Sequence, residues 1–208
     1  MTLTFDQPHV ILRDDPMLWQ WDHWLDDHEL SVLLANLDQL VYTQGYSKHA
    51  GGQHQVTDRR RALNHIVTDQ DPVVFQQLEQ KVADFLGQPK DHFEPAVVLQ
   101  YQNMGYFRPH HDFNQQKWQG VTSHRLATLI LYINDDYQGG VTEFPRLGIK
   151  VTPRAGRAVF WRYDYQDAAK NQLLLHSGEY VTSGIKHAMV FFLRDRPFVG
   201  AQRQRMTY

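Results

Sequence analysis

The 208-residue sequence contains no cysteine, which excludes disulfide cross-links and thiolate chemistry. It also lacks a charge excess: 21 Lys and Arg stand against 23 Asp and Glu, giving a formal net charge of -2. With a pI of about 6.6, no global field draws the chain to nucleic acid or to an anionic membrane. No segment approaches the roughly 18 consecutive apolar residues of a membrane span. The first eight residues, Met1 to Pro8, show no basic region followed by an apolar run. A cytoplasmic protein with neither nucleic-acid nor membrane partners is therefore expected. There are no internal repeats, and 24.4 kDa suits a single domain with a sizeable core.

The chain divides by texture. Residues 1–25 carry two Pro and Trp19, Trp21 and Trp24 without a clear period, and read as an irregular lead-in. Leu30, Leu33, Leu34, Leu37 and Leu40 then recur at helical spacing behind Asp26 and Asp27, whose carboxylates suit the first turn of a surface helix. A second helix is expected from Pro72 through Val74, Phe75, Leu78, Val82, Phe85 and Leu86, stopping at Gly87. From Ala96 onward short β-rich runs alternate with turn signals: Ala96 to Tyr101, Leu126 to Ile133, Val141 to Phe144, Ile149 to Val151, Ala158 to Arg162, Leu173 to His176 and Ala188 to Arg194. Strands of this spacing after a helical N-terminal third predict a barrel or jelly roll braced by helices, an α+β and mainly β fold. The expected division is helical support with a possible lid over 1–94, a β-helix catalytic core over 95–198 and a tail over 199–208, disordered from Gln202 to Tyr208.

The chemistry is expected where Tyr101 to Asp112 ends in His110-x-Asp112. On an extended segment, residues two apart point to one side, so the His110 imidazole and the Asp112 carboxylate converge while His111 faces away. Two His and one carboxylate on one face of a metal favour non-haem Fe(II). Downstream, Leu175 to Lys186 offers His176 and, ten residues later, a Lys opening an apolar run. His-x-Asp alone is a weak signal, and the third ligand must come from elsewhere.

Together these segments resemble the prolyl 4-hydroxylase branch of the Fe(II)/2-oxoglutarate dioxygenases. The resemblance runs from Val98 to Phe192 and rests on ordered parts. Tyr101 stands nine residues before His110, with Gly105, Phe107 and Pro109 between. Then come Arg125-Leu-Ala-Thr-Leu-Ile-Leu-Tyr132, Gly139-Gly140-Val141-Thr142-Glu143-Phe144-Pro145, Val151 to Trp161, and His176 to Lys186. The resemblance implies a double-stranded β-helix, with Fe(II) held by His110, Asp112 and His176. It implies 2-oxoglutarate and O2 as co-substrates, and ascorbate as an auxiliary reductant. Lys186 would pair with the C5 carboxylate of 2-oxoglutarate, helped by Tyr101, Tyr132 and Thr142. Arg125 and Phe192 fall at substrate positions. The implied reaction is hydroxylation of an aliphatic C-H, foremost C4 of a prolyl residue in a peptide or protein, with a free amino acid or small metabolite as the alternative. Where the family often has Trp, directly after the Lys and again six residues after it, this chain has His187 and Phe192.

Two readings of other classes compete: a non-catalytic β-barrel binding module, and a zinc hydrolase using the same three ligands, which leaves an inward Lys186 unexplained. The stretch Thr43 to Arg61, with three Gly and the run Arg59-Arg60-Arg61, reads equally as a solvated connection or as a lid whose arginines donate to a peptide. His49 and His54 within it make a poor metal pair, having no third ligand nearby.

Overall fold

A computed structural model of the protein describes residues 7–44, 47–48, 54–55, 58–118 and 121–198. The lead-in is a hairpin rather than irregular chain: β1 (Val10–Arg13) pairs with β2 (Leu18–Trp21), which joins a large sheet. Residues Leu18 to Trp21 are all wholly or partly covered, so no polar-apolar alternation marks this strand in the sequence. Helix α1 (Asp27–Asn36) begins as expected. Asp26 accepts from the Glu29 N–H at 2.8 Å, and Glu29 accepts in return from the Asp26 N–H at 3.0 Å. Leu30, Leu33, Leu37 and Leu40 are buried, while Leu34 faces solvent.

Two-residue strands β3 (Thr43–Gln44), β4 (Ser47–Lys48) and β5 (His54–Gln55) precede β6 (Arg60–Arg61) and β7 (Leu63–Ile66). The lid reading of 43–61 and the His49/His54 pair rest largely on residues or side chains outside the described set, as does the tail 199–208. Helix α2 (Val73–Phe85) starts after Pro72, which is its cap rather than its first residue. The chain leaves α2 at Gly87, whose φ of +60° suits glycine.

The remaining strands are β8 (Val97–Gln102), β9 (Gly105–His110), β10 (Gln115–Trp118), β11 (Val121–Tyr132), β12 (Gln138–Gly139), β13 (Thr142–Phe144), β14 (Ile149–Val151) and β15 (Ala158–Arg162). A short α3 (Ala168–Leu173) follows, then β16 (His176–Ser183) and β17 (Ile185–Arg194). The run Leu173 to His176, expected as a strand, instead spans the end of α3 and the first residue of β16.

Among the described residues these strands form two main antiparallel sheets. The larger follows the order β1-β2-β15-β11-β17-β8-β7-β3, with β10 on the side of β11; the smaller follows β14-β13-β16-β9-β6, with β12 beside β16. This is the expected double-stranded β-helix, to which the N-terminal third contributes strands as well as bracing helices.

Period two decides what each strand buries. Along β17, Met189, Phe191 and Leu193 join α1 and α2 in one apolar cluster, while Ala188, Val190 and Phe192 belong to a second. Along β11, Leu129 and Leu131 face the helices, and Ile130 and Tyr132 face the other way. Both faces of the large sheet are thus covered, which is why these strands read as continuous apolar runs. Lys186 shares the parity of Ala188 and Val190, so β17 carries a lysine into the space between the sheets.

Candidate active site

His110 closes β9, and His176 opens the neighbouring β16; the two are cross-strand partners, with rings 4.3 Å apart. Asp112 lies just past β9. Its backbone N–H donates to the Tyr163 hydroxyl at 3.2 Å, and its Oδ2 accepts from the Thr128 hydroxyl of β11 at 3.0 Å. The ligand atoms of His110, Asp112 and His176 all lie within 4.8 Å of one another.

Each His Nδ1 faces a backbone carbonyl, Arg108 at 2.9 Å for His110 and Leu174 at 3.0 Å for His176. A carbonyl only accepts, so Nδ1 carries the proton and the Nε2 lone pair is turned to the cluster. The Nε2 atoms stand 3.5 and 3.4 Å from the Asp112 carboxylate oxygens. Those spacings suit donors sharing a cation. Burial pushes the His110 pKa down, favouring the neutral form a metal needs. Burial opposes ionisation of Asp112, but positive charge beside it, on His176 and His110 when those rings are protonated, outweighs burial and holds the carboxyl well below its usual range. The residues therefore fit a divalent metal with a hydrophobic surround: Phe107 stacks on His110 at 3.6 Å, and Trp161 meets His176 edge-on at 4.7 Å.

Lys186 stands opposite Tyr101 in the β17–β8 register, on the same face of the large sheet as Tyr132. Its ammonium donates to the Gly140 carbonyl at 2.6 Å and lies 5.0 Å from the Tyr132 ring and 5.4 Å from the Tyr101 ring. No carboxylate pairs with it among the described residues, and burial pulls its pKa down to about 7. The Tyr132 hydroxyl donates to Thr142 Oγ1 at 2.7 Å, leaving the Thr142 hydrogen available to an incoming oxygen. Gly140 is required here: its φ is +67°, and a Cβ would come within 3.0 Å of the Lys186 side chain. A buried lysine between two tyrosine rings, in one cavity with the Thr142 hydroxyl and a His/Asp/His cluster, is a site for an anion reaching from the metal.

Residues 96–194 match the family described as the 2OG-Fe(II) oxygenase superfamily. The matched stretch is just under half of the chain and contains Tyr101, His110, Asp112, His176 and Lys186. Prolyl 4-hydroxylase 13 of Arabidopsis thaliana is 26% identical over 71% of this chain and 60% of its own length. Prolyl 4-hydroxylase 1 of the same plant is 30% identical over 59% of this chain and 48% of its own. The chain thus spans about half to three fifths of the length of these relatives. A viral collagen prolyl hydroxylase from Paramecium Bursaria Chlorella virus-1, solved with 2OG, shares the fold: TM-score 0.62, 24% identity, covering 85% of this chain and 95% of the viral one.

The nine residues singled out in the sequence separate into groups. His110, Asp112, His176, Tyr101, Thr142, Lys186 and Phe192 line one cavity, and Tyr132 backs it through Thr142. Arg125 does not line it. Its Nε and Nη2 donate to Glu94 at 2.6 and 2.7 Å, its guanidinium covers Phe192, and Nη1 reaches the Asp112 carbonyl at 3.4 Å. Arg194 forms a further ion pair with Glu94, so a carboxylate that is 1% exposed holds two arginines behind the metal cluster.

Two residues of the site were passed over in the sequence. Thr128 and Tyr163 fix Asp112, and only the fold brings them to it. Of the run Arg59 to Arg61, read equally as solvated or as donors to a peptide, Arg60 turns into the cavity while Arg59 and Arg61 stay exposed.

Proposed function

We propose that this protein is an Fe(II)- and 2-oxoglutarate-dependent dioxygenase that hydroxylates C4 of a prolyl residue in a peptide or protein, with ascorbate as an auxiliary reductant. The observation that carries the reading is Lys186: a buried cation beside the Tyr132 ring, in the cavity that also holds Thr142, His110, Asp112 and His176. A zinc hydrolase has no use for it, and a non-catalytic module has no use for the His/Asp/His cluster. The names of the relatives supply the prolyl substrate.

Bound Fe(II), with 2-oxoglutarate and O2, supplies the oxidative decarboxylation to succinate and CO2 that places a hydroxyl on an aliphatic carbon. His110, Asp112 and His176 are the residues to hold the metal, with Thr128 and Tyr163 keeping the carboxylate in place. Lys186 takes the C5 carboxylate of 2-oxoglutarate, and the Thr142 hydroxyl, oriented by Tyr132, adds a hydrogen bond. Tyr101 closes the same wall. Phe107, Trp161 and Phe192 keep the walls apolar, which excludes water and strengthens the ionic contacts inside.

The test is mass spectrometry of proline-containing peptides incubated with Fe(II), 2-oxoglutarate and O2. The reading requires a gain of one oxygen on proline matched by succinate formation. Succinate without any oxygenated peptide would move the substrate to a free amino acid or small metabolite.

A further inference from the structure

Arg60 is the second cation of the cavity and the one for which the proposed chemistry has no use so far. It sits on β6, at the edge of the small sheet, directly opposite Phe107 of β9. Its guanidinium carbon lies 5.0 Å from the Phe107 ring centroid, and that ring in turn stacks on His110. The close approach of β6 to β9 depends on Gly105, where a Cβ would meet the Arg61 carbonyl at 2.8 Å. Part of the Arg60 side chain is open to solvent, yet Nε and Nη2 are sealed from it and have no hydrogen-bond partner. No ion pair neutralises it among the described residues. The carboxylate whose charge reaches it is that of Asp112, and Asp112 is committed to the metal cluster.

Resting on the dioxygenase reading above, the charges in the cavity can be balanced. Arg60, Lys186 and Fe(II) bring four positive charges, and Asp112 with 2-oxoglutarate brings three negative ones. One positive charge remains. Lys186 and Arg60 serve different ends of the space: Lys186 is held on the large sheet between Tyr101, Tyr132 and the Gly140 carbonyl, and Arg60 stands on the small sheet beside Phe107. The far carboxylate of 2-oxoglutarate belongs to Lys186 and the near one to the metal, so the uncompensated charge is at Arg60. A backbone carbonyl would satisfy its N–H groups without removing that charge, and an arginine cannot shed its proton to escape the cost. A carboxylate does both, and suits the paired Nε and Nη2 donors.

We propose that Arg60 anchors a carboxylate carried by the hydroxylated substrate. The acid belongs to a residue close to the attacked carbon: the α-carboxylate of a free amino acid, the C-terminus of a peptide, or an acidic side chain beside the target. β6 holds the anchor next to the metal ligand His110 through Phe107, so binding the acid also positions the neighbouring C–H.

Calorimetric titration of the full chain with Mn(II) and 2-oxoglutarate, without O2, tests this with no turnover required. The probes are matched pairs: free L-proline and L-prolinamide, a peptide ending in proline as acid and as amide, and an internal-proline peptide with Glu or Gln beside the proline. At least one acid is expected to bind about tenfold or more tighter than its amide, as loss of a charged partner predicts. The pair that shows the preference identifies the source of the acid. Arg60→Gln should erase that preference and Arg60→Lys retain part of it, with thermal unfolding confirming that both variants fold. No acid outperforming its amide, or a preference that survives Arg60→Gln, overturns the anchor. Failure of the native protein to form succinate from 2-oxoglutarate with Fe(II) and O2 would instead overturn the dioxygenase reading, so the two failures are distinguishable.

Discussion

Arg125 lies over Phe192, its guanidinium carbon 3.6 Å from the ring centroid, while its forked nitrogens end on Glu94. The arginine at the substrate position of the family pattern is thus already engaged, and it reaches the substrate side only through the ring it covers.

Arg125→Met should therefore act first on stability. Removing one partner of a buried charged pair costs about 3 to 5 kcal/mol; Arg194 still neutralises Glu94, so the lower end is expected. Urea unfolding measures this. Unchanged stability together with a raised substrate KM would place Arg125 on the substrate instead.

Thr128→Val keeps the shape of a buried β11 side chain but removes the hydroxyl that donates to Asp112 Oδ2 at 3.0 Å. Partners behind a metal ligand are worth about 10- to 100-fold in metal affinity, and a loss of that size is expected on titration with Mn(II). An affinity within error of the native protein would show that Asp112 does not depend on Thr128 to hold a metal.

Lys186 makes binding of 2-oxoglutarate proton-linked. In the ligand-free fold, burial lowers its pKa from 10.5 to about 7, so between those values the unfolded chain holds more protons and stability rises with pH. A carboxylate beside the ammonium restores the charged form. At about pH 8, calorimetry in buffers of different ionisation enthalpy should show uptake approaching about one proton per 2-oxoglutarate, with affinity falling as pH rises further. Lys186→Met should abolish the uptake. Equal proton uptake in native and variant protein would assign it to another group.

Much of this arrangement was legible in the sequence because β11 and β17 are long, apolar and bounded by clear turns. The spacing of Tyr101, His110, Asp112, His176 and Lys186 was legible because each lies in or beside such a strand. The β1–β2 hairpin was not legible, since on β2 Leu18 packs on one face and Trp19 and Trp21 on the other, and no polar-apolar alternation survives. The start of β16 was misplaced because Leu173 and Leu174 are apolar for different reasons, one ending a helix and the other filling the core between the sheets. Arg60 could not be told from Arg59 and Arg61 for a third reason. In a run of three arginines only the pleat decides which one faces inward, and that pleat is set by pairing with Phe107, 47 residues away.

The central claim is that His110, Asp112 and His176 bind Fe(II) for oxidation coupled to 2-oxoglutarate. The most direct measurement follows succinate from 2-oxoglutarate under O2, with Fe(II) or Zn(II), in the native protein and in Asp112→Ala. The account predicts succinate only with Fe(II) and O2, and its loss on removing the Asp112 carboxylate with the fold intact by circular dichroism. Near-native succinate formation by Asp112→Ala, or none from the native protein under any of these conditions, would contradict it.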